Sequence, residues 1–321
     1  MTSTKLSTRQ NRTGYLFLAP FVIGFLLFGL YPVISTLTVS FTNATLMSKN
    51  AEFIGLDNYK RLFADGVFMR AIGNTWLLWI LNFVPQIGIA MLLAILFTNT
   101  RLKVRGVGGW RAVFYLPNLM MPAAVAALFA SLFAFYGPVN QILVRAGILD
   151  QAMRFLESPA VTRGLVVFIQ TWTWFGQSMI ILMAGMTSIP IHLYEAGMVD
   201  GASGWQMFTR ITLPLLKPIL IFIFVTSLVG GMQMFDIPFL LTDGRGSPQS
   251  SIQTNNILMF MKFNSSKGHI GAAAAVGVMV FIMTSVCALG IFYFLRDKYE
   301  DDAKSTRKAL LNMGAKERSK S

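Results

Sequence analysis

The chain has 321 residues, 54% of them hydrophobic and only 13% charged. A soluble domain of this size carries roughly twice that charged fraction, so a soluble globular protein is excluded. The net charge of +13 is gathered into short clusters between long charge-free runs; that is the pattern of membrane loops and excludes a nucleic-acid-binding surface.

Residues 1–13 are polar and basic, with Lys5, Arg9 and Arg12, and precede an apolar run from Tyr15 to Val33. No small-x-small cleavage site follows closely, and the run is too long for the apolar core of a signal peptide. The stretch predicts an uncleaved first span over about 14–41. Pro20 and Pro32 are tolerable there because neighbouring helices can satisfy the freed carbonyls. A mixed polar loop, 42–70, contains Gly55-Leu56-Asp57-Asn58-Tyr59. The second span is predicted over about 71–98, and a compact basic loop follows with Arg101, Lys103, Arg105 and Arg111. The third span is predicted over about 112–135. Pro117 and Pro122 in its first turns call for an irregular or kinked start. A second polar loop, 136–163, opens with Gly137-Pro138-Val139-Asn140.

The fourth span, about 164–187, is rich in Gln and Trp, and the fifth runs over about 215–235. Between them lies a polar stretch, 188–217. A loop, about 237–269, carries Leu241-Thr242-Asp243-Gly244, and the sixth span is predicted over about 270–295. The charged tail 296–321 has no apolar periodicity that would make a domain and is expected to be partly disordered. Six spans put both ends on one side. That side carries 17 Lys and Arg against 10 on the other, which places the ends and the 188–217 stretch in the cytoplasm.

The stretch 188–217 is longer than a connection needs. Pro190 can start a helix, His192 to Asp200 continues it, and Gly201 is suited to end it in the left-handed conformation. Ser203 and Gln206 have capping-box spacing, so a second short helix is expected to about Thr212, before Pro214. Capping and length leave open whether this pair is a docking element or an amphipathic hairpin at the membrane surface.

The order Glu195-Ala196-Gly197, three residues, Gly201, nine residues, Ile211-x-Leu213-Pro214 resembles the signature loop of permease subunits of binding-protein-dependent ABC importers. It departs from that pattern at Gly197, where the family usually has a second alanine. The motifs at Gly55–Tyr59, Gly137–Asn140 and Leu241–Gly244 look like the carbohydrate branch, in particular the first of its two permeases, the maltose-type one. The resemblance implies an all-α, six-span type I importer permease fold at 14–295, in the plasma (inner) membrane of a bacterium or archaeon. It implies a second permease subunit, two ATPase subunits and an extracellular solute-binding protein as partners. ATP and magnesium would sit on the ATPases, with no cofactor on this chain and a sugar or oligosaccharide as cargo. It also implies that Glu195, Ala196, Gly197, Asp200, Gly201, Ala202, Ile211, Leu213 and Pro214 carry the coupling to the ATPase, with Gly201 as the elbow.

A sugar path needs amides for hydroxyls and aromatic faces for C–H surfaces. Gln170, Trp174 and Gln177 recur at i, i+4, i+7 and share one helix face, and Gln233 lies late in the fifth span beside Gly231 and Met234. These six resemble, by position relative to the signature loop, the substrate-contacting positions of the maltose-type permease. On the residues alone they can equally be interhelical hydrogen bonds and interfacial aromatics.

Other classes fit less well. A secondary transporter would be expected to hold ionisable groups mid-span, and the predicted spans carry none there, Asp236 lying at an end. A membrane enzyme would need a carboxylate, His or Cys constellation. The one cysteine, Cys287, and the separated His192 and His269 give neither disulfide nor metal spacing. A phosphate-binding loop is also missing, because Gly106-x-Gly108-Gly109 lacks the Lys and Ser/Thr that hold phosphate and magnesium. A permease for another small solute, such as glycerol phosphate, stays open.

Overall fold

The computed structural model describes residues 8–295 apart from Lys49, Thr100, Arg101, Lys103 and Asp243, with side chains from Tyr15 to Tyr293. The predicted charged tail, the first seven residues and half of the predicted basic loop thus lie outside the described residues. The elements in order are α1 (Thr8–Gly24), α2 (Tyr31–Ser40), α3 (Asp57–Ala64), α4 (Gly66–Thr98), α5 (Val107–Leu119), α6 (Pro122–Leu132), α7 (Pro138–Arg145), α8 (Pro159–Thr187), α9 (Ile191–Val199), α10 (Gly204–Met207), α11 (Leu213–Leu215), α12 (Lys217–Met232), α13 (Asp236–Leu241), α14 (Asn255–Phe263) and α15 (Ile270–Leu295). Five stretches are long and apolar enough to cross a membrane: Tyr15–Ser40, Gly66–Thr98, Pro159–Thr187, Lys217–Leu241 and Ile270–Tyr293.

The third predicted span departs from expectation. In place of one helix over 112–135 with an irregular start, α5 and α6 meet at 91°. Pro117 is carried inside α5. The bend falls at Met120 and Met121, where Met121 is extended (ψ 131°) and Pro122 opens α6. A proline lacks the amide hydrogen that a continuing helix would use, yet its fixed φ suits a first turn. Pro122 therefore starts a new helix where the sequence reading had it only roughen an old one. The pair makes a sixth crossing only if its two halves count together. Smaller departures are a π-helical turn, Phe25–Leu30, joining α1 to α2, and α3, α7 and α14 inside segments read as loops.

The described residues form two compact units. The first comprises the residues up to 86, 116–174 and 230–283; the second comprises 87–115, 175–229 and those from 284 on. In the first unit the core is built from Leu78 of α4, Val125, Ala126 and Phe129 of α6, Leu165, Val166 and Ile169 of α8, Met234, and Ile237 and Leu241 of α13. The i, i+1, i+4 spacing on α6 and α8 is what one buried helical stripe requires. Phe129 packs edge-on to Phe168 and Trp172, with centroids 5.9 and 5.6 Å away.

Buried amides clasp the ends of this unit. Asn58 Nδ2 donates to the carbonyls of Ser40 and Thr42, both at 2.8 Å. Asn74 Nδ2 donates to Ser250 O (2.7 Å) and Gln253 O (3.2 Å), and Arg163 Nε to Ser251 O (2.9 Å). Asn140 is 1% exposed. It donates to the carbonyls of Ala134, Phe135 and Met153, and accepts from the Met153 amide at 2.9 Å. In an apolar surround each such group left unpaired costs about 1–3 kcal/mol, so these side chains stand in for missing secondary structure.

In the second unit Phe114 of α5 packs on Phe97, Trp110 and Phe175, with centroids 5.8–6.1 Å away. Met179, Leu182, Met183 and Leu216 are buried within it. This packing carries the hairpin formed by α9 to α11.

Candidate coupling hairpin and transport path

Local chemistry shapes the hairpin. Pro190, in the extended region (φ −60°, ψ 130°), is the N-cap of α9. The helix runs to Val199 and ends through Gly201 at φ +74°. There the Gly201 amide reaches Met198 O at 3.1 Å and the Ala202 amide reaches Gly197 O at 2.8 Å. The second of these bonds spans five residues and closes the last turn, as in a left-handed glycine cap. The capping box is complete: Gln206 N donates to Ser203 Oγ at 3.3 Å and Ser203 N to Gln206 Oε1 at 2.7 Å. The second helix is irregular, because α10 passes into a π-helical turn, Phe208–Thr212, before α11.

The two arms touch on their inner side. Tyr194 and Thr212 share a hydroxyl hydrogen bond at 2.8 Å. Gly197 faces Ile211 and Met207; a methyl group there would lie 3.3 Å from Ile211 Cδ1. An alanine there would need Ile211 Cδ1, the end of a flexible side chain, to give by only a few tenths of an ångström. Glu195, Ala196, Asp200 and Gly201 are exposed on the outside, Leu213 and Pro214 are exposed beyond the turn, and Ala202 and Ile211 are half-buried. Three residues that sequence reasoning passed over stand beside them: Met198, Val199 and Trp205, at 44%, 88% and 72% exposure. Their signal was an apolar pair at the end of a helix in an otherwise polar stretch. The hairpin thus exposes three apolar side chains on either side of the Gly201 turn, together with the carboxylates of Glu195 and Asp200.

The six path residues divide. On α8, Trp174 Nε1 donates to Gln170 Oε1 at 3.1 Å; Gln170 is nine-tenths buried and holds an indole that is 43% exposed. Gln177, half-buried on the same helix, belongs to the second unit. Gly231, Gln233 and Met234 mark a break: α12 stops at Met232, and α13 begins at Asp236 after Phe235 at φ −140°, ψ −59°. Side chains close the exposed ends of this break. Asn256 Nδ2 donates to Gln233 O at 2.9 Å and Thr254 Oγ1 to Met234 O at 2.8 Å. Of the three, only Gln233 presents its side chain. Met234 is 4% exposed and packs in the core. Gly231 lies against Trp79, where a Cβ would come within 2.0 Å of Cδ1. Gly231 and Met234 are therefore packing positions in this structure.

Apolar crossings whose charges, Arg70, Arg163, Lys217 and Asp236, lie only toward their ends, and a broken helix whose carbonyls are satisfied, are features of a multi-pass membrane protein. Residues 74–300 match the family described as the binding-protein-dependent transport system inner membrane component, and the chain belongs to that family. It is 32% identical over 296 residues to the lactose transport system permease protein LacF of Rhizobium radiobacter, covering 92% of this chain and 98% of that one. It is 30% identical to the arabinooligosaccharides transport system permease protein AraP of Bacillus subtilis (strain 168), covering 86% of each. Among solved structures, a chain of a bacterial ABC transporter that imports the acidic polysaccharide alginate superposes with a TM-score of 0.76 at 26% identity. That match covers 90% of this chain and 96% of the other. The fold is that of a type I ABC importer permease, a multi-pass inner membrane component.

Proposed function

We propose that this chain is a permease subunit of an ABC transporter that imports a sugar or oligosaccharide. ATP hydrolysis on two partner subunits drives it, an extracellular solute-binding protein feeds it, and a second permease completes the pore. The observation that carries the coupling role is the hairpin tip. Val199 and Trp205 hold apolar surface out of the chain on either side of the Gly201 turn. Burying such side chains against a partner contributes about 1.5–3 kcal/mol each, more than any exposed ion pair at Glu195 could. In this reading closure of the ATPase dimer pulls on α9, and Glu195 and Asp200 set its register. The sugar class is supported by the relatives and by the indole of Trp174, which Gln170 holds in place. ATP and magnesium belong to the partners, and the positive-side bias puts the hairpin and both ends in the cytoplasm.

The test uses the assembled complex in proteoliposomes with lactose, maltose, trehalose and arabinotriose as cargo. Gly201→Asp puts a charge on the hairpin surface at a position with open space around it; φ +74° strains any side chain, aspartate less than most, so the comparison is made with Gly201→Asn, which carries the same strain without the charge. Uptake of at least one of these sugars with ATP is expected for the native chain, with at least about a tenfold loss in Gly201→Asp at equal membrane insertion. Undiminished ATP-coupled uptake by the variant would defeat the coupling role.

A further inference from the structure

The break between α12 and α13 borders an open cavity of about 570 Å³ formed by residues of the first unit. Its lining includes Phe235 and Asp236 from the break, Asn256, Phe260 and Phe263 from α14, and Ala273 from α15. The three α14 residues fall at i, i+4, i+7, one helix face, while Ile257 and Leu258 bury the other. Phe260 is held by Phe235 and Phe239, with centroids 5.5 and 4.9 Å away, yet stays 39% exposed. Its ring is thus rigid and open at once. Asp236 is exposed, and among the described residues no cation pairs with it. Asn256 donates one amide hydrogen to Gln233 O, which fixes the side chain and leaves Oδ1 as an acceptor and the second N–H as a donor.

We propose that this cavity is a saccharide subsite separate from the Gln170–Trp174 pair, in which Asp236 and Asn256 accept hydroxyl hydrogen bonds and Phe260 and Phe263 cover a C–H face. The proposal rests on the sugar-import reading above. A carboxylate accepts from two neighbouring hydroxyls at once, and charge-assisted bonds of this kind are about twice as strong as neutral ones. Aromatic rings supply the flat apolar surface a pyranose needs, and small Ala273 leaves room for it. The volume suits a short saccharide and sits within the range of small-molecule sites. The segment 237–269 is also on the side that the charge bias assigns to the outside, where cargo is delivered. An acyl chain would gain nothing from an unpaired carboxylate; a lipid ammonium would, and the test separates the two.

With Cys287→Ser removing the only native cysteine, Met259→Cys places a reporter thiol on the cavity wall. The assembled complex in proteoliposomes is labelled from outside with a membrane-impermeant maleimide, with and without lactose, maltose, trehalose or arabinotriose. The transported sugar is expected to slow labelling, and adding Asp236→Asn is expected to weaken that protection about tenfold in sugar concentration. Uptake of a sugar without protection, or protection indifferent to Asp236→Asn, overturns the subsite and leaves the sugar-import reading standing. Labelling that is blocked without sugar in phosphatidylethanolamine vesicles but free in detergent makes the occupant a lipid and also overturns it. Absence of uptake of all four sugars by the native complex overturns the sugar-import reading and the subsite with it.

Discussion

Asn140→Ala tests the claim that buried amides substitute for regular structure at the ends of the bundle. Asn140 is 1% exposed and makes four hydrogen bonds. The loss is uneven. Ala134 O keeps the Gly137 amide, and Met153 O keeps the Phe155 amide. The Met153 N–H and Phe135 O depend on Asn140. Two orphaned groups at about 1–3 kcal/mol each, less what water recovers at half-exposed Phe135, give about 2–4 kcal/mol. In a protein of this size that corresponds to a fall of roughly 5–10 °C in melting temperature. The measurement is the midpoint of loss of the monodisperse species on size exclusion after heating in detergent. Asn140→Asp keeps the acceptor for Met153 N–H but sets a buried carboxylate oxygen against three carbonyls, so it is expected to be at least as destabilising as alanine at neutral pH. An alanine variant within about 1 °C of native would refute the accounting.

Two further outcomes are expected. Gly231→Ala drives a methyl group into Trp79, which is 5% exposed and stacked on Phe83 at 5.6 Å. Overpacking of this kind costs about 1–3 kcal/mol, and Trp79→Leu in the same chain is expected to recover part of the lost thermal stability; strict additivity of the two changes would rule out the steric cause. Ser203→Ala opens the capping box at a cost of about 1 kcal/mol. Hydrogen exchange in the 203–208 peptide should quicken about fivefold while the global melt is unmoved, and unchanged exchange would show that the cap holds nothing.

The parts of the fold legible in the sequence are those fixed by chemistry within a few residues. The left-handed end of α9 needs only Gly201, and the start of α10 needs only Ser203 and Gln206. The bend between α5 and α6 was half legible. Pro117 and Pro122 announced an irregularity, but a proline inside a helix and a proline opening one look alike until the neighbour's ψ is known. Helix α14 was not legible, because the polarity of residues 251–256 reads as solvent exposure. In the fold Ser251, Gln253, Thr254 and Asn255 are all buried. The backbone of this segment is what pairs at long range, Gln253 O with Asn74 Nδ2 and the Asn255 amide with Thr75 Oγ1, 179 and 180 residues away and beyond any local pattern.

The same distinction governs the candidate site. Gln170 and Trp174 were legible as a pair because four residues on a helix bring side chains together, and the structure joins them by a hydrogen bond. Gly231 and Met234 were placed on a path by position, but the break after Met232 turns Met234 into the core and leaves Gln233 outside. A broken helix interrupts the periodicity on which such face arguments depend. Motif matches need the same care. Asn58, Asn140 and Thr242, each within a stretch that looks like the carbohydrate branch, are occupied with backbone groups at 2.7–3.2 Å. Those motifs mark how the fold is clasped. A side chain whose hydrogen bonds are spent on its own backbone has little left for cargo, and by that criterion exposed Asp236, which pairs with no cation among the described residues, is a stronger position for a ligand than Asn140 or Thr242.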